Sequence, residues 1–261
     1  MKLPISIFII TKNEEERLPI AINSVKHWVD EVLVIDSGST DRTVEIAKEL
    51  GAKVTFNKWE GFGQQKIFGE NLCKNKWILN IDADEEITVE VRNNIVKRFE
   101  NGIEPEEAAF TLYWKMLLMD QANPPLIGVT GSFIRLYNKE KSGFRDNSIH
   151  DSVVVRREGK IGVIPGYVHH RCFKSLRHWS DKINNYSSMQ AEEWVKKGRK
   201  KPSARIFYEP FLAFFKSFLL RKYFLYGTNG FMASLMYAYS KTLRLAKVLE
   251  LYNTKENDQR Y

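Results

Sequence analysis

Short apolar runs alternate with helix-like stretches along the first hundred residues. The apolar runs, at residues 5–10, 31–36, 53–56 and 77–82, are rich in Ile, Val and Leu and have the length of strands. Between them, apolar side chains recur at helical spacing near Ile20 and again over residues 40–50 and 64–73. Strands that alternate with helices of this length are typical of βαβ units. The pattern therefore predicts an α/β fold with a mostly parallel, Rossmann-like sheet flanked by helices.

Polar side chains stand where three of these strands end. Thr11 follows the first strand, Asp36 the second and Asp82 the fourth. Because ligands of open α/β sheets bind outside the carboxyl ends of the strands, we expect the three turns to line one cleft.

The pattern changes after residue 108. Strand-like runs at residues 108–119, 131–138, 153–155 and 163–169 precede a helical segment at 179–197. A basic, aromatic segment at 205–250 has helical periodicity, which we expect to break at Gly227 and Gly230. We therefore predict an α/β domain over residues 1–178 and a helical C-terminal extension over residues 179–261.

Composition is that of an ordinary globular protein and excludes several classes. The 261 residues are 43% hydrophobic and 28% charged, which argues against a disordered chain. Two cysteines, Cys73 and Cys172, exclude a disulfide framework and a cysteine-rich zinc module. The first apolar run is too short for a signal peptide, and no run of about 18 apolar residues predicts a membrane span. We expect the protein in the cytoplasm.

Positive charge is concentrated in the C-terminal part. Residues 1–150 contain 19 Lys and Arg against 23 Asp and Glu, whereas residues 151–261 contain 21 against 9. Between Lys196 and Phe224 nine cations surround a single acid, Glu209, and alternate with aromatic residues. Such a segment suits an anionic membrane surface, although a helix that packs its aromatics onto the catalytic domain would have the same pattern. Single-stranded nucleic acid is a third reading, and no recognised nucleic-acid motif supports it.

Two acidic turns carry candidate chemistry. Asp82-Ala83-Asp84 directly follows a strand, and two carboxylates in this position could hold a divalent cation that neutralises a diphosphate. Asp36 opens a turn of small residues in which backbone could approach a ligand and the carboxylate could accept a hydrogen bond from a nucleoside. Both turns could instead serve as helix caps.

These motifs together resemble family 2 glycosyltransferases. The resemblance is carried by I-S-I-F-I-I-T-K-N-E-E-E at residues 5–16, D-S-G-S-T-D-R-T at 36–43 and W-I-L-N-I-D-A-D-E at 77–85. Further along, W-E-G-F-G at 59–63 and H-x-x-F-K-S-L at 170–176 are similar to the branch of lipopolysaccharide core β-1,4-glucosyltransferases.

The resemblance implies a GT-A fold and a metal-assisted, inverting transfer of a hexose, with glucose preferred, from a UDP-sugar to a lipopolysaccharide-core or other lipid-linked glycan. It places the chain in the cytoplasm or on the inner face of the cytoplasmic membrane. The residues implied to bind the nucleotide sugar are Thr11, Asn13, Glu14, Asp36 and Asp82. The implied metal is Mg²⁺ or Mn²⁺, and Asp84 is the residue implied to bind it. Ser37 stands where many relatives have a second acid, and this difference bears on the choice of nucleobase. UDP is the preferred nucleotide.

Two basic residues and three histidines complete the candidates. Lys66 and Arg135 could offset diphosphate charge, although we expect Arg135 to be an exposed side chain without a specific role. His150-Asp151 matches the place where relatives have His-Glu, so Asp151 is the candidate general base and His150 orients it or approaches the metal. Of the adjacent His169 and His170, one is expected to be a core or cleft residue.

A nucleotidyltransferase is the alternative enzyme class, because it shares the need for a nucleotide and a metal. It would usually have a glycine-rich phosphate loop near its first strand, and the turn that begins at Thr11 has no glycine. The glycosyltransferase reading is therefore preferred.

Overall fold

The apolar runs form the strands of one large sheet in the computed structural model, which describes residues 2–118, 121–145, 152–156 and 159–258. The chain divides into two units. The first comprises Met1–Lys115 and Thr130–Arg171, and the second comprises Met116–Val129 and Cys172–Tyr261. The functional division at residue 178 stays a prediction.

The described residues of the first unit form ten strands and four α-helices. The strands are β1 (Leu3–Thr11), β2 (Val29–Asp36), β3 (Lys53–Phe56), β4 (Trp77–Asn80), β5 (Glu85–Glu86), β6 (Ala109–Leu117), β7 (Thr130–Asn138), β8 (Ser142–Phe144), β9 (Val153–Val155) and β10 (Ile161–Arg171). The helices are α1 (Leu18–Val25), α2 (Thr43–Glu49), α3 (Phe62–Leu72) and α4 (Val89–Arg98).

Eight of the strands form a sheet in the order β3-β2-β1-β4-β7-β6-β10-β5. The first four of these run parallel to one another, as the βαβ pattern predicts. Strand β7 then pairs antiparallel with both β4 and β6, and β10 pairs antiparallel with β5. The α/β class with its parallel sheet is confirmed.

Burial on both faces explains why the parallel strands read as nearly continuous apolar runs. Alternate residues of β1 enter two separate cores. Ile5, Ile7 and Ile9 lie in one core, and Phe8 and Ile10 lie in the other. Helices cover the two faces, so a strand at the centre of the sheet has no solvent side on which to place polar residues.

The order of the parallel strands brings the polar turns together. Thr11 and Asp36 are register partners at the carboxyl ends of β1 and β2, and β4 pairs with the other side of β1. The turn that contains Asp82 and Asp84 follows β4 at the same edge of the sheet. The three turns that were expected to line one cleft therefore lie at the same edge of the sheet.

The second unit is built from three helices: α5 (Leu176–Lys196), α6 (Arg205–Phe215) and α7 (Gly227–Asp258). Between α6 and α7 lie a wider π-helical turn, Lys216–Leu220, and a 3-10 turn, Tyr223–Tyr226. The Tyr226 hydroxyl accepts a hydrogen bond from the Val129 N–H (2.8 Å) and donates one to the Met116 carbonyl oxygen (3.2 Å). These bonds attach residues 116–129 to the helices of this unit.

The expected helix break at Gly230 is wrong. Helix α7 begins at Gly227, whose φ of 59° is left-handed, and it continues through Gly230 without interruption. A Cβ atom at Gly230 would collide with the Tyr223 carbonyl oxygen, so the residue permits a close approach of backbone to a helix. The sequence alone predicted a helix break at Gly230 because helix breaks and close approaches of backbone both favour glycine.

Among the described residues, no helix combines the length and the apolar character needed to cross a membrane.

Candidate active site

Asp82 lies between two buried cations. Lys66, 1% exposed on α3, places its Nζ 3.1 Å from Asp82 Oδ1, and Arg135 donates from Nη2 to Asp82 Oδ2 at 2.7 Å. Burial alone would raise the pKa of Asp82, but the charges of Arg135 and Lys66 hold it well below its usual range. Asp82 is therefore an ionised carboxylate whose oxygens are already engaged by the protein.

Arg135 is the centre of this network. Its guanidinium, on β7, also donates to Glu85 Oε1 at 2.6 Å and to Asn80 Oδ1 at 3.0 Å. Burial favours the neutral form, yet the carboxylates of Asp82 and Glu85 raise the pKa of Arg135. Burial also raises the pKa of Glu85, because the attraction of Arg135 offsets only part of the cost of desolvation.

Asp84 contacts a different set of partners. Its Oδ2 lies 3.4 Å from Arg17 Nη1 and 3.4 Å from His170 Nε2, on β10. Burial is the largest influence and works to raise the pKa of Asp84, but the hydrogen bond from His170 and the charges of His170 and Arg17 together outweigh it, so the pKa is lowered. The two carboxylates of the motif are thus separated: one is held by Lys66 and Arg135, and the other faces a histidine and Arg17.

Arg17 connects Asp84 to the turn after β1. It donates to both carboxylate oxygens of Glu14, from Nη2 at 2.6 Å and from Nε at 2.8 Å, and from Nη1 to the Arg171 carbonyl oxygen at 2.6 Å. Both oxygens of the Glu14 carboxylate are therefore engaged by the Arg17 guanidinium.

The Asp36 carboxylate organises the second turn. It accepts hydrogen bonds from the Gly38 N–H at 2.9 Å and from the N–H and hydroxyl of Ser39. Gly38 has a left-handed φ of 92°, which the tight turn requires. Beside it, the Thr11 hydroxyl is buried and has no hydrogen-bond partner within the described part of the chain.

Asn13 links the first two turns. It adopts a left-handed φ of 56°; its N–H donates to Ser39 Oγ at 2.9 Å, and its Oδ1 accepts from the Thr40 N–H at 2.8 Å. The two loops that carry Thr11, Asn13 and Asp36 are therefore joined into one surface at the end of β1 and β2.

A cavity of about 290 Å³ lies next to Asp82. Strand β7 supplies Ser132, Phe133, Ile134 and Arg135 to its wall, and Phe144, Ser152 and Val153 complete it. Hydroxyls, aromatic rings and a charged pair in one cavity are a combination that suits a polar ring such as a sugar.

The structure brings together most of the predicted site residues, whose roles stay predictions, and two of them lie outside the described residues. Thr11, Asn13, Glu14 and Asp36 lie at the ends of β1 and β2, and Lys66, Asp82 and Asp84 surround the turn after β4. His150 and Asp151 lie outside the described residues, so their roles as metal ligand and general base stay predictions.

Sequence reasoning misjudged Arg135 and missed Arg17, and it included Glu85 in the motif at 77–85 without assigning it a role. The expectation of an exposed Arg135 is wrong: its side chain is 9% exposed and joins three polar side chains. A signal was present, since an arginine between Ile134 and Leu136 interrupts a strand that is otherwise apolar there. Arg17 is a charged residue inside a charged stretch, and no local pattern distinguishes it.

Comparison with known proteins decides the family. The model of glycosyl transferase family 2 matches residues 6–104. An uncharacterized glycosyltransferase of Rickettsia typhi is 41% identical over 254 residues, which cover 95% of this chain and 87% of the relative. The chain belongs to glycosyltransferase family 2. Membership in this family favours glycosyl transfer over the nucleotidyl transfer that the sequence left as an alternative.

Other members and neighbours of this family 2 glycosyltransferase are more distant. The lipopolysaccharide core biosynthesis glycosyltransferase LpsC of Rhizobium meliloti is 26% identical over 261 residues, covering 97% of this chain and 95% of the relative. The glucosyl-3-phosphoglycerate synthase of Mycobacterium tuberculosis, crystallised with Mn²⁺, uridine diphosphate and glucosyl-3-phosphoglycerate, has a TM-score of 0.35 at 23% identity, with 43% of each chain covered.

An ion pair beside the site gives the stability of this glycosyltransferase a predictable pH dependence. Glu86 Oε2 lies 3.6 Å from His169 Nδ1 and 2.8 Å from Arg171 Nη2. The hydrogen bonds from His169 and Arg171, opposed by partial burial, lower the pKa of Glu86 from 4.5 to about 2. The Glu86 carboxylate binds a proton more tightly in the unfolded chain than in the folded one. The ion pair therefore stabilises the fold fully at a pH above the unfolded pKa of 4.5, and this stabilisation disappears as the pH falls towards 2.

Glu86→Gln should therefore lower the free energy of unfolding at pH 7 by about 1–2 kcal/mol, after allowance for solvent screening of a partly exposed pair. The difference from wild type should shrink as pH falls from 5 to 2. Urea unfolding at several pH values measures both quantities, and exposed Glu90→Gln is the control. A difference that stays constant across this pH range would show that the ion pair is not its cause.

Proposed function

We propose that this chain is a metal-dependent, inverting hexosyltransferase that uses a UDP-sugar. The observation that carries the proposal is the division of labour in the Asp82-Ala83-Asp84 turn. Asp82 is engaged by Lys66 and Arg135, whereas Asp84 faces His170 Nε2 at the end of the parallel strands. A carboxylate and an imidazole in this position are suitable ligands for a divalent cation.

Asp84 and His170 are the described residues that would hold Mg²⁺ or Mn²⁺, and His150 stays a proposed further ligand. No group of three or more His, Cys, Asp or Glu side chains in the described residues could hold a metal by itself. The pair therefore fits an ion that takes its other ligands from water and from the diphosphate of a substrate, as Mg²⁺ commonly does. When bound, such an ion neutralises the negative charge that develops on the leaving diphosphate.

The turns after β1 and β2 form the proposed nucleoside site. Thr11 contributes a buried hydroxyl that no described residue engages, and Asn13 and Asp36 hold the two loops in place. In this proposal Glu14 acts through Arg17, which it orients towards Asp84. Lys66 adds positive charge beneath Asp82, close to where the ribose and diphosphate would lie.

The cavity of about 290 Å³ beside Asp82 is the proposed place for the transferred hexose, for which we propose glucose. Its hydroxyls and the Asp82–Arg135 pair offer hydrogen bonds to sugar hydroxyls, and Phe133 and Phe144 offer apolar surface. The ion pairs of Asp82 keep its carboxylate charged and oriented before a substrate arrives.

Inversion requires a base on the acceptor side, opposite the leaving diphosphate. Asp151 is proposed for this role, with His150 to orient it, on the resemblance of the Asn147-Ser148-Ile149-His150-Asp151 segment to the His-Glu of relatives. A carboxylate within hydrogen-bond reach of the acceptor hydroxyl would take up its proton as the glycosidic bond forms.

The acceptor proposed is a glycan of lipopolysaccharide core or another lipid-linked glycan. The similarity to LpsC over nearly the whole of both chains supports this choice. A lipid-linked acceptor would place the reaction on the inner face of the cytoplasmic membrane, with the enzyme bound at its surface.

The proposal predicts a donor-specific, metal-dependent release of UDP. A panel of UDP-sugars, incubated with the purified chain with and without Mn²⁺, should show slow hydrolysis of one donor, with UDP-glucose expected, and EDTA should remove it. Addition of a lipopolysaccharide-core acceptor should raise the rate. If no UDP-sugar were hydrolysed and calorimetry detected no metal-dependent UDP binding, the proposed donor would be wrong.

A further inference from the structure

The second unit has an unusually large exposed apolar surface on α6. Phe207, Phe211 and Phe215 recur at every fourth position and therefore lie along one side of the helix, with Phe207 77% and Phe211 65% exposed. Tyr208 and Leu212 widen this stripe and are also exposed. A soluble helix normally turns such a stripe inward, so the burial pattern of α6 is reversed.

The exposed surface continues past α6 onto α7. The ring of Phe218, in the π-helical turn, stacks on Phe214 at 5.5 Å and meets Phe231 of α7 at 6.1 Å and Phe224 at 6.2 Å. Four aromatic rings, from α6, the π-helical turn, the 3-10 turn and α7, thus form one cluster. The exposed side chains around it are Leu219, Leu220, Phe224, Leu225, Phe231, Leu235 and Tyr239. We call this surface, residues 205–239, the aromatic elbow.

The aromatic elbow contains several cations and a single acid. Lys216, Arg221 and Lys222 lie in its turns, and all three are exposed. The single acid of the segment, Glu209, is paired with Arg205 at 2.6 Å and with Arg244 at 3.2 Å, so its charge is neutralised within the unit. The elbow therefore combines exposed apolar side chains with uncompensated positive charge.

We propose that the aromatic elbow inserts into the headgroup region of an anionic lipid leaflet, with α6 lying in the plane of the membrane. Apolar side chains in contiguous patches of this extent mark interaction surfaces. A helix that is apolar on one side and cationic at its margins binds anionic lipid by burying apolar area and by attraction to headgroups. Lipid is favoured over a second copy of the chain, since a symmetric dimer would bring like charges together.

The inference deepens the proposed function, on which its purpose rests: the elbow would hold the enzyme at the surface where a lipid-linked acceptor lies. The contact itself needs neither donor nor metal. Vesicle binding and UDP release can therefore fail separately, and each result bears on a different proposal.

Co-sedimentation of the full chain with vesicles tests the elbow directly. Wild type should bind phosphatidylcholine vesicles that contain about 30% phosphatidylglycerol more tightly than pure phosphatidylcholine vesicles, and added salt should weaken the binding. The double variant Phe211→Ser, Leu220→Ser preserves the net charge and changes two side chains that are 65% and 77% exposed. It should lose at least about tenfold in vesicle affinity, because each removed side chain no longer enters the apolar region.

Ile103→Ser is the matched control, because Ile103 is 68% exposed in the first unit and lies outside the elbow. It should bind vesicles as wild type does, and circular dichroism should show all variants folded. Equal binding of the double variant and wild type would overturn the proposal, since charge alone would then explain the attraction. So would a wild-type dimer that ignores vesicles and becomes monomeric in the double variant, because a second copy would then be the occupant.

Discussion

Asp84→Asn should lower metal-dependent release of UDP from the preferred donor by roughly 10³-fold or more, while the chain stays folded. The amide preserves the shape of the side chain but removes the negative charge that the proposed cation requires. Arg17 remains neutralised by its bidentate contact with Glu14, so the variant leaves no buried charge without a partner. The loss should therefore appear chiefly in turnover and metal affinity, with a smaller cost in stability from the weakened contacts to His170 and Arg17.

The measurement is UDP release at increasing Mn²⁺, together with calorimetric titration of Mn²⁺ and UDP into wild type and variant. Asp181→Asn, on the exposed side of α5, is the matched control and should behave as wild type. EDTA should reduce wild type to the level of Asp84→Asn and have little further effect on the variant. A variant that kept wild-type turnover with an unchanged dependence on Mn²⁺ would remove Asp84 from the metal site.

Arg135→Met should destabilise the protein by about 3–5 kcal/mol at pH 7. The substitution leaves Glu85, whose side chain is 2% exposed, without its cationic partner, and it removes one of the two cations on Asp82. Glu85 would then be forced towards its protonated form, since burial already raises its pKa. The penalty should accordingly be smaller below pH 4.5, where a neutral Glu85 is accessible also in the unfolded chain.

Urea unfolding of four proteins would check this expectation: wild type, Arg135→Met, Glu85→Gln and the double variant. The double variant should recover part of the loss, because the buried carboxylate is no longer charged. Arg98→Met is the control, since Arg98 is 43% exposed and its contact with Glu107 is 3.6 Å, a pair worth less than about 1 kcal/mol. An Arg135→Met protein within 1 kcal/mol of wild type would show that the network contributes little to folding.

The difference between these two variants illustrates how charged residues of one motif acquire separate tasks. Asp82 and Asp84 are two positions apart in a single turn, yet their partners come from α3 and β7 in one case and from β10 and Arg17 in the other. Removal of charge from one is expected to affect catalysis. Removal of charge around the other is expected to affect the fold.

Local sequence determined the frame of the site. The apolar runs defined β1 to β4, because a strand buried on both faces must be apolar throughout, and the polar residues at their ends marked the edge where ligands bind. The motifs around Asp36 and Asp82 were sufficient to indicate the family. Each of these signals lies within about ten residues, so no knowledge of distant contacts was needed.

Only the tertiary structure decided which charges meet and which aromatics stay exposed. Lys66, Arg135 and His170 reach the Asp82 turn from distant positions along the chain, and a side chain's charge alone does not reveal its partner. Likewise, the amphipathic pattern between Lys196 and Phe224 predicted an apolar face but not what covers it. The free energy of an ion pair or an apolar face depends on burial and on neighbours that only the folded chain brings together, which is why the sequence left both questions open.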